Sequence, residues 1–199
     1  LTVTDNENPT AIAKTATVAL DRSGTVIVLP AAIDNTSTDN CGIVTYEISK
    51  TNSNYGTEIE FDCEDISTNP NTVWLKVTDA AGNSHVTSTT VTVQDTQAPT
   101  VDAADISNLA NVTDPGNCTF TYTGTNWNPT DNCDTSPTIT YSANNGASPA
   151  TGTSLTGVIF QKGTTTVTWQ TEDATGNTDT IIFDVVVTDA QKPTIAKCS

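Results

Sequence analysis

Basic residues and histidine are scarce in this chain: seven Lys and Arg stand against 23 Asp and Glu, and there is one histidine in 199 residues. The acidic excess runs through both halves, 13 to 4 in residues 1–95 and 10 to 3 in residues 96–199. Nucleic acid is thereby excluded as a partner, because its recognition needs basic patches that displace phosphate counterions. With His85 alone, no nucleophile–histidine–acid arrangement and no multi-histidine zinc site can recur along the chain. Carboxylate pairs are present, but acidic residues in short loops are more often solvated or metal-bound than catalytic, so the chain reads as a non-enzyme. No run approaches the roughly 18 apolar residues of a membrane span, so membrane insertion is not expected. No signal peptide is visible, which says nothing about export in a chain that opens in mid-phrase. Long amphipathic helical periodicity is also missing.

What the sequence does contain is repetition. Val3-Thr4-Asp5-Asn6-Glu7-Asn8-Pro9-Thr10 returns as Val93-Gln94-Asp95-Thr96-Gln97-Ala98-Pro99-Thr100 and again as Val187-Thr188-Asp189-Ala190-Gln191-Lys192-Pro193-Thr194. Thr38-Asp39-Asn40-Cys41 matches Thr130-Asp131-Asn132-Cys133 at an offset of 92, and Asp79-Ala80-Ala81-Gly82-Asn83 matches Asp173-Ala174-Thr175-Gly176-Asn177 at 94. Self-similarity in register means an array of like units. The expected division is one module over 1–95, a second over 96–189, and the start of a following module over 190–199. Adjacent modules of the same chain are the expected partners, and the chain is expected to be a monomer.

Short alternating segments between turn residues predict strands at 10–20, 25–33, 43–50, 58–63, 72–78 and 85–94, then at 101–112, 119–127, 138–142, 155–160, 164–171 and 179–188. Roughly one residue in five is Thr, which suits the wet face of a strand. The fold class is all-β: two tandem immunoglobulin-like antiparallel β-sandwich modules. Val73, Leu75 and Val77 mark a core face, as do Val167, Trp169 and Thr171. Trp74 falls on the opposite, partly exposed face, Trp127 reads as a core lid, and His85 as an exposed strand residue.

Cys41 and Cys63 are the only cysteines of the first module, and Cys118 and Cys133 the only complete pair of the second. Two disulfides inside modules, Cys41–Cys63 and Cys118–Cys133, are the economical reading and imply an oxidising compartment. Cys198 is left over, with its partner expected in a following module.

The order Asp-x-x-x-Pro-Thr, Asp-Asn-Cys, Gly-Thr-Thr-Thr-Val-Thr-Trp, Asp-x-x-Gly-Asn and Val-Val-Val-Thr-Asp resembles the hyalin repeat, an immunoglobulin-like module of extracellular adhesion proteins. The second module is similar over nearly its whole length. The first resembles the shorter variant found in tandem in very large surface adhesins of gliding Bacteroidota, of the SprB-type gliding-motility kind. Val101-Asp102 and Thr180-Ile181 stand where many hyalin repeats carry an outer cysteine pair. The resemblance implies an extracellular, cell-surface location and a role in adhesion.

Short Asp/Asn-rich loops supply the six to eight oxygens that calcium takes. If the incoming linker, the loop after the second strand and the last hairpin share one pole, they gather Asp5, Glu7, Asp34, Asp39, Asn40, Asp79 and Asn83 in the first module. In the second they gather Asp95, Asp131, Asn132, Asp134, Asp173 and Asn177. The leading ligands are Asp39, Asp79 and Asp5 or Glu7, then Asp95, Asp131 and Asp173. Ordinary turn chemistry accounts for the same residues and stays open beside calcium. The shared pole also needs a short seventh strand near 51–55 or its equivalent. The functional expectation is a calcium-stiffened, disulfide-stapled stalk or spacer. The alternative is a module that binds a glycan or surface polysaccharide directly, for which Trp74 and Tyr55 are the exposed aromatics. Thr-rich strands invite an ice-binding reading, but turns interrupt them too often for a flat array. Sequons stand at Asn35, Asn111 and Asn117.

Overall fold

Strict alternation of apolar and polar residues makes the longest strands, and each buries one face. The computed structural model describes residues 4–101, 109–124, 127–144 and 146–193. The chain separates into two units, Leu1–Gln97 and Ala98–Ser199. Among the described residues no helix is long and apolar enough to cross a membrane.

The first unit runs β1 (Ala16–Ala19), β2 (Thr25–Val28), the single turn α1 (Pro30–Ile33), β3 (Ile43–Ser49), β4 (Ile59–Asp62), the single turn α2 (Glu64–Ser67), β5 (Asn71–Asp79) and β6 (Ser84–Gln94). One sheet has the order β1-β6-β5-β3, and β2 pairs with β4 in the other. Within the larger sheet β1 lies parallel to β6, Ala16 beside Val91 and Ala19 beside Gln94. Val73, Leu75 and Val77 are fully buried, with Ile48 and Phe61 among the other core residues. Trp74, on the other face of β5, is half-buried.

The second unit repeats the plan with β7 (Leu109–Val112), β8 (Thr119–Thr121), β9 (Thr138–Ala143), β10 (Ala147–Ser148), β11 (Thr151–Gly152), β12 (Ile159–Gln161), β13 (Gly163–Glu172) and β14 (Thr178–Thr188). Its sheets are β11-β9-β13-β14-β7 and β10-β12-β8, with β7 again parallel to the last strand. Trp169 lies in the core, and Trp127 covers it edge-on with ring centroids 4.5 Å apart. The all-β immunoglobulin-like sandwich is therefore the architecture of both units.

Several strands are shorter than alternation predicts. Pro30 has no N–H to give a sheet and begins a helical turn instead, so β2 ends at Val28. Leu155 is buried from a turn, its carbonyl accepting from Val158 N (2.9 Å), ahead of β12. Ahead of β1 the chain makes isolated bridges, Thr10 to Thr38 and Ala13 to Asp34. Of the strand expected over 101–112, residues 102–108 lie outside the described residues, as do 125 and 126 of the one expected over 119–127. The extra traverse is present: Gly56 returns beside Ile48 through two backbone hydrogen bonds of 2.8 and 3.0 Å, and β11 returns beside β9.

The expected disulfides are not formed. Cys41 and Cys118 are free and exposed, whereas Cys63 and Cys133 are disulfide-bonded. In each unit the two cysteines stand at opposite poles. Cys41 donates its N–H to Asp39 at the N-terminal pole, where β5 ends at Asp79. Cys63 Sγ lies 3.5 Å from the Gly24 carbonyl at the C-terminal pole, near Asn69, whose side chain pairs with the Val93 backbone. The length of β5, roughly 25 Å at strand rise, separates those poles, and a disulfide spans Cα atoms less than about 7 Å apart. In the second unit the Cys118 carbonyl accepts from Lys162 N just before β13 begins, while Cys133 neighbours Asp131 at the end where β13 stops. Cys198 lies outside the described residues.

Alkylation without reduction, followed by peptide mass spectrometry, is expected to label Cys41 and Cys118 and to spare Cys63 and Cys133 until a reductant is added. Trp169→Ala should cost about 3–5 kcal/mol in urea unfolding, against no more than about 1 kcal/mol for Trp74→Ala.

Candidate metal centre

The hairpin between β5 and β6 folds around its first residue. Asp79 Oδ1 accepts the N–H groups of Ala81 (2.9 Å) and Asn83 (2.8 Å), and its Oδ2 accepts the Asn83 side-chain amide at 2.7 Å. Gly82 supplies the positive φ, +94°, that the turn demands. Asp173 is held in the same way by Thr175 N, Asn177 N and the Asn177 amide, each at 2.8 Å. Both carboxylates are buried. Burial opposes their ionisation, but the Asn amide and the turn N–H groups together outweigh it, so both are held below the ordinary carboxylate value.

The other two segments bring carboxylates by tight local turns. Asp39 Oδ2 accepts from Cys41 N (2.8 Å), and Asp131 Oδ1 from Cys133 N (2.9 Å) and Asp134 N (2.8 Å). Asp5 Oδ1 accepts from Glu7 N (3.1 Å), and Asp95 Oδ1 from Gln97 N (3.0 Å). One oxygen of each is thus spent on nearby backbone. Asp5 Oδ2, Asp39 Oδ1 and Asp131 Oδ2 are closed to solvent and receive no N–H or O–H donor.

The result is two triads, Asp5–Asp39–Asp79 and Asp95–Asp131–Asp173, each offering three carboxylate oxygens within 4.8 Å of one another. Oxygens that share one calcium ion at about 2.4 Å can be no more than about 4.8 Å apart. The donor set is hard, anionic and oxygen-only, which suits calcium over zinc or copper. A hydrogen bond to Asp5, that carboxylate's charge, burial and then the charges of Asp39 and Asp79 push the Cys41 thiol above its ordinary value.

The remaining candidate ligands stand around the triads. Glu7 Oε2 accepts the Asn40 amide (2.9 Å), fastening the incoming segment to the Asp39 loop. The Asn83 amide also reaches the Asp5 carbonyl (3.3 Å), and that of Asn177 reaches Thr175 Oγ1 (2.8 Å). The Asn132 amide points at Cys133 Sγ (3.5 Å). Asp34 is taken up by Ser37, and Asp134 by Ser136 N and Ala174 N. His85, on an exposed stretch of β6, accepts the Ala11 N–H on Nδ1 at 3.0 Å and pins the incoming segment, a long-range contact that nothing in its sequence neighbourhood signals. Tyr55 bonds Asn52 and lies 5.6 Å below the Lys76 ammonium, while Trp74 borders a shallow groove with Asn52 and Val86.

No family model and no curated protein matches the chain. Solved structures do. The insect immune protein hemolin is 14% identical over 93% of this chain and 49% of its own, with a TM-score of 0.43. Mouse clustered protocadherin PcdhgC3 EC1-3 is 18% identical over 94% and 69%, at 0.35. Titin A168–169 is 10% identical over 92% and 100%, also at 0.35. The chain spans about half the length of the hemolin chain it matches.

The lowered values of Asp79 and Asp173 fix the sign of an acid effect. Their contribution to stability is complete above the ordinary carboxylate pKa of about 4 and is lost as pH falls through the lower folded values. Urea melts at pH 7, 4 and 3 are expected to weaken between 4 and 3, and less so in the Asp79→Asn, Asp173→Asn double variant.

Proposed function

We propose that this chain is a pair of spacer modules of an extracellular adhesin, with one calcium ion held by the carboxylate triad of each repeat. The observation that carries the reading is the in-register recurrence of a triad in which Asp5, Asp39 and Asp131 each keep a buried oxygen that no N–H or O–H donor serves. Turn chemistry alone explains Asp79 and Asp173, both of whose oxygens are satisfied by their own hairpins. It does not explain why Asp5 and Asp39 leave an oxygen closed to solvent beside like charge. A divalent cation would neutralise that repulsion and hold three segments distant in sequence against one another. The tandem repeat, the disulfide-bonded cysteines and the hyalin-repeat motifs support an extracellular, adhesion-type setting, in which such modules distance a binding region from a surface. Trp74 and Tyr55, the aromatic candidates for direct glycan contact, are both half-buried, which favours the spacer role.

Calcium titration with a melting curve at each concentration is the test. At 100 times its dissociation constant, calcium should add about 2.7 kcal/mol to a module, or roughly 10–20 °C in Tm, reversed by a chelator. Asp39→Ala should abolish the gain in the first module and Asp131→Ala in the second, with magnesium at the same concentration giving a smaller rise. An unchanged Tm in wild-type protein at millimolar calcium would overturn the reading.

A further inference from the structure

The larger sheet of the first unit has an open edge at Tyr46. Among the described residues β3 is the last strand of that sheet, and its outer side meets only Gly56, which exchanges two backbone hydrogen bonds with Ile48. Hydrogen-bonding direction alternates along a strand, so the N–H and C=O of Tyr46, two residues before Ile48, also point away from β5. The chain that could have paired with them bends off at Thr57 and joins β2 from Ile59 onward. On the far side the strand bulges between Ile43 and Thr45, which leaves room for one bonded pair, at Tyr46 itself.

Beside that edge lies a cleft of about 390 Å³, lined by Leu29, Pro30, Ala31, Asp34, Tyr46 and Thr57. Its size falls within the range of roughly 300–1,000 Å³ typical of ligand sites. Tyr46 stands opposite the fully buried Val77, so its ring is on the core-facing side of the sheet, yet it remains 38% exposed. Leu29, 51% exposed, gives the cleft an uncovered apolar wall. In the second module the matching residue, Ile139 opposite Thr171, packs against the core. Asp34 is the one carboxylate of the lining; its Oδ1 accepts from the Ser37 N–H and hydroxyl, and it makes no ion pair among the described residues. Glu58, next to Thr57, is exposed.

We propose that the Tyr46 edge and this cleft together bind a short extended segment of a basic partner protein, which pairs with Tyr46 and sets a lysine or arginine side chain into the cleft. A residue that exchanges both backbone bonds with Tyr46 shares its face of the sheet, so its side chain enters the cleft. A long basic side chain matches both parts of the lining: its methylene stem covers Leu29, Pro30 and the Tyr46 ring, and its charged head meets Asp34. Backbone pairing holds the segment and the cleft selects it, as in other strand additions. Charge disfavours a second copy of this chain as the occupant, because 23 acidic residues face seven basic ones in each. The site shares no residue with either carboxylate triad and does not depend on calcium.

The test titrates the isotope-labelled two-module chain with the peptide acetyl-Thr-Val-Lys-Val-Thr-amide, followed by amide NMR shifts and hydrogen exchange, in calcium and in chelator. Saturable shifts confined to residues 29–34 and 44–47 are expected in both, with slowed exchange at the Tyr46 amide. Methylating the backbone nitrogen of the peptide lysine removes the donor to the Tyr46 carbonyl and should weaken binding about tenfold. Replacing that lysine by glutamate should abolish it. Asp34→Asn keeps the acceptor that serves Ser37, so its melting should match wild type while its affinity falls about tenfold. No saturable shift at millimolar peptide, equal binding of the methylated or glutamate peptide, undiminished binding to Asp34→Asn, or shifts centred elsewhere would each overturn the proposal. So would concentration-dependent protection of the Tyr46 amide in the free chain, which would make a second copy the occupant.

Discussion

Like charge held at close quarters is the constraint around which each module is arranged. Three carboxylate oxygens within 4.8 Å oppose one another, and the fold tolerates them by feeding backbone N–H groups to Asp5, Asp39 and Asp79 from one side. The hairpin, the Asp-Asn-Cys loop and the incoming segment are each shaped by that donation. Glu7 with Asn40 and His85 with Ala11 then fasten the segments to one another without adding to the triad. The triad is accordingly a feature of three local turns brought together by the sandwich, and the sandwich must place three ends at one pole to make it.

Much of this is legible in the sequence because it is local or periodic. The core faces of β5 and β13 follow from alternation, and Val73, Leu75, Val77, Val167 and Trp169 are buried as alternation requires. The Asp-x-x-Gly-Asn turns declare themselves by residue type. The shared pole stays open at the level of sequence because it hangs on a traverse too short to show a period: Gly56 makes one bridge, and β10 and β11 have two residues each. Sequence spacing cannot see a return of that size.

The cysteines resist sequence reading for a related reason. Counting two per module suggests pairing within modules, since parity is the only information composition offers. Which pole each cysteine occupies depends on strand direction and on the Cys63 turn into α2, and neither is visible in a count. Proximity in sequence, 22 residues from Cys41 to Cys63 and 15 from Cys118 to Cys133, gives no indication that a whole strand length lies between the two members of each pair.

The parallel pairing of the first and last strands of each module bears on how the chain would carry a load. When the two ends of a module are pulled apart, β1 and β6 are drawn in opposite directions along their common axis, as are β7 and β14. The ladder bonds between Ala16–Ala19 and Val91–Gln94, and between Leu109–Val112 and Val185–Thr188, are loaded together in shear. An antiparallel pair pulled from its open end would peel one bond at a time. Rupture under tension therefore requires several bonds to fail at once, which raises the force a module survives without raising its equilibrium stability, because forced unfolding is governed by the unfolding rate.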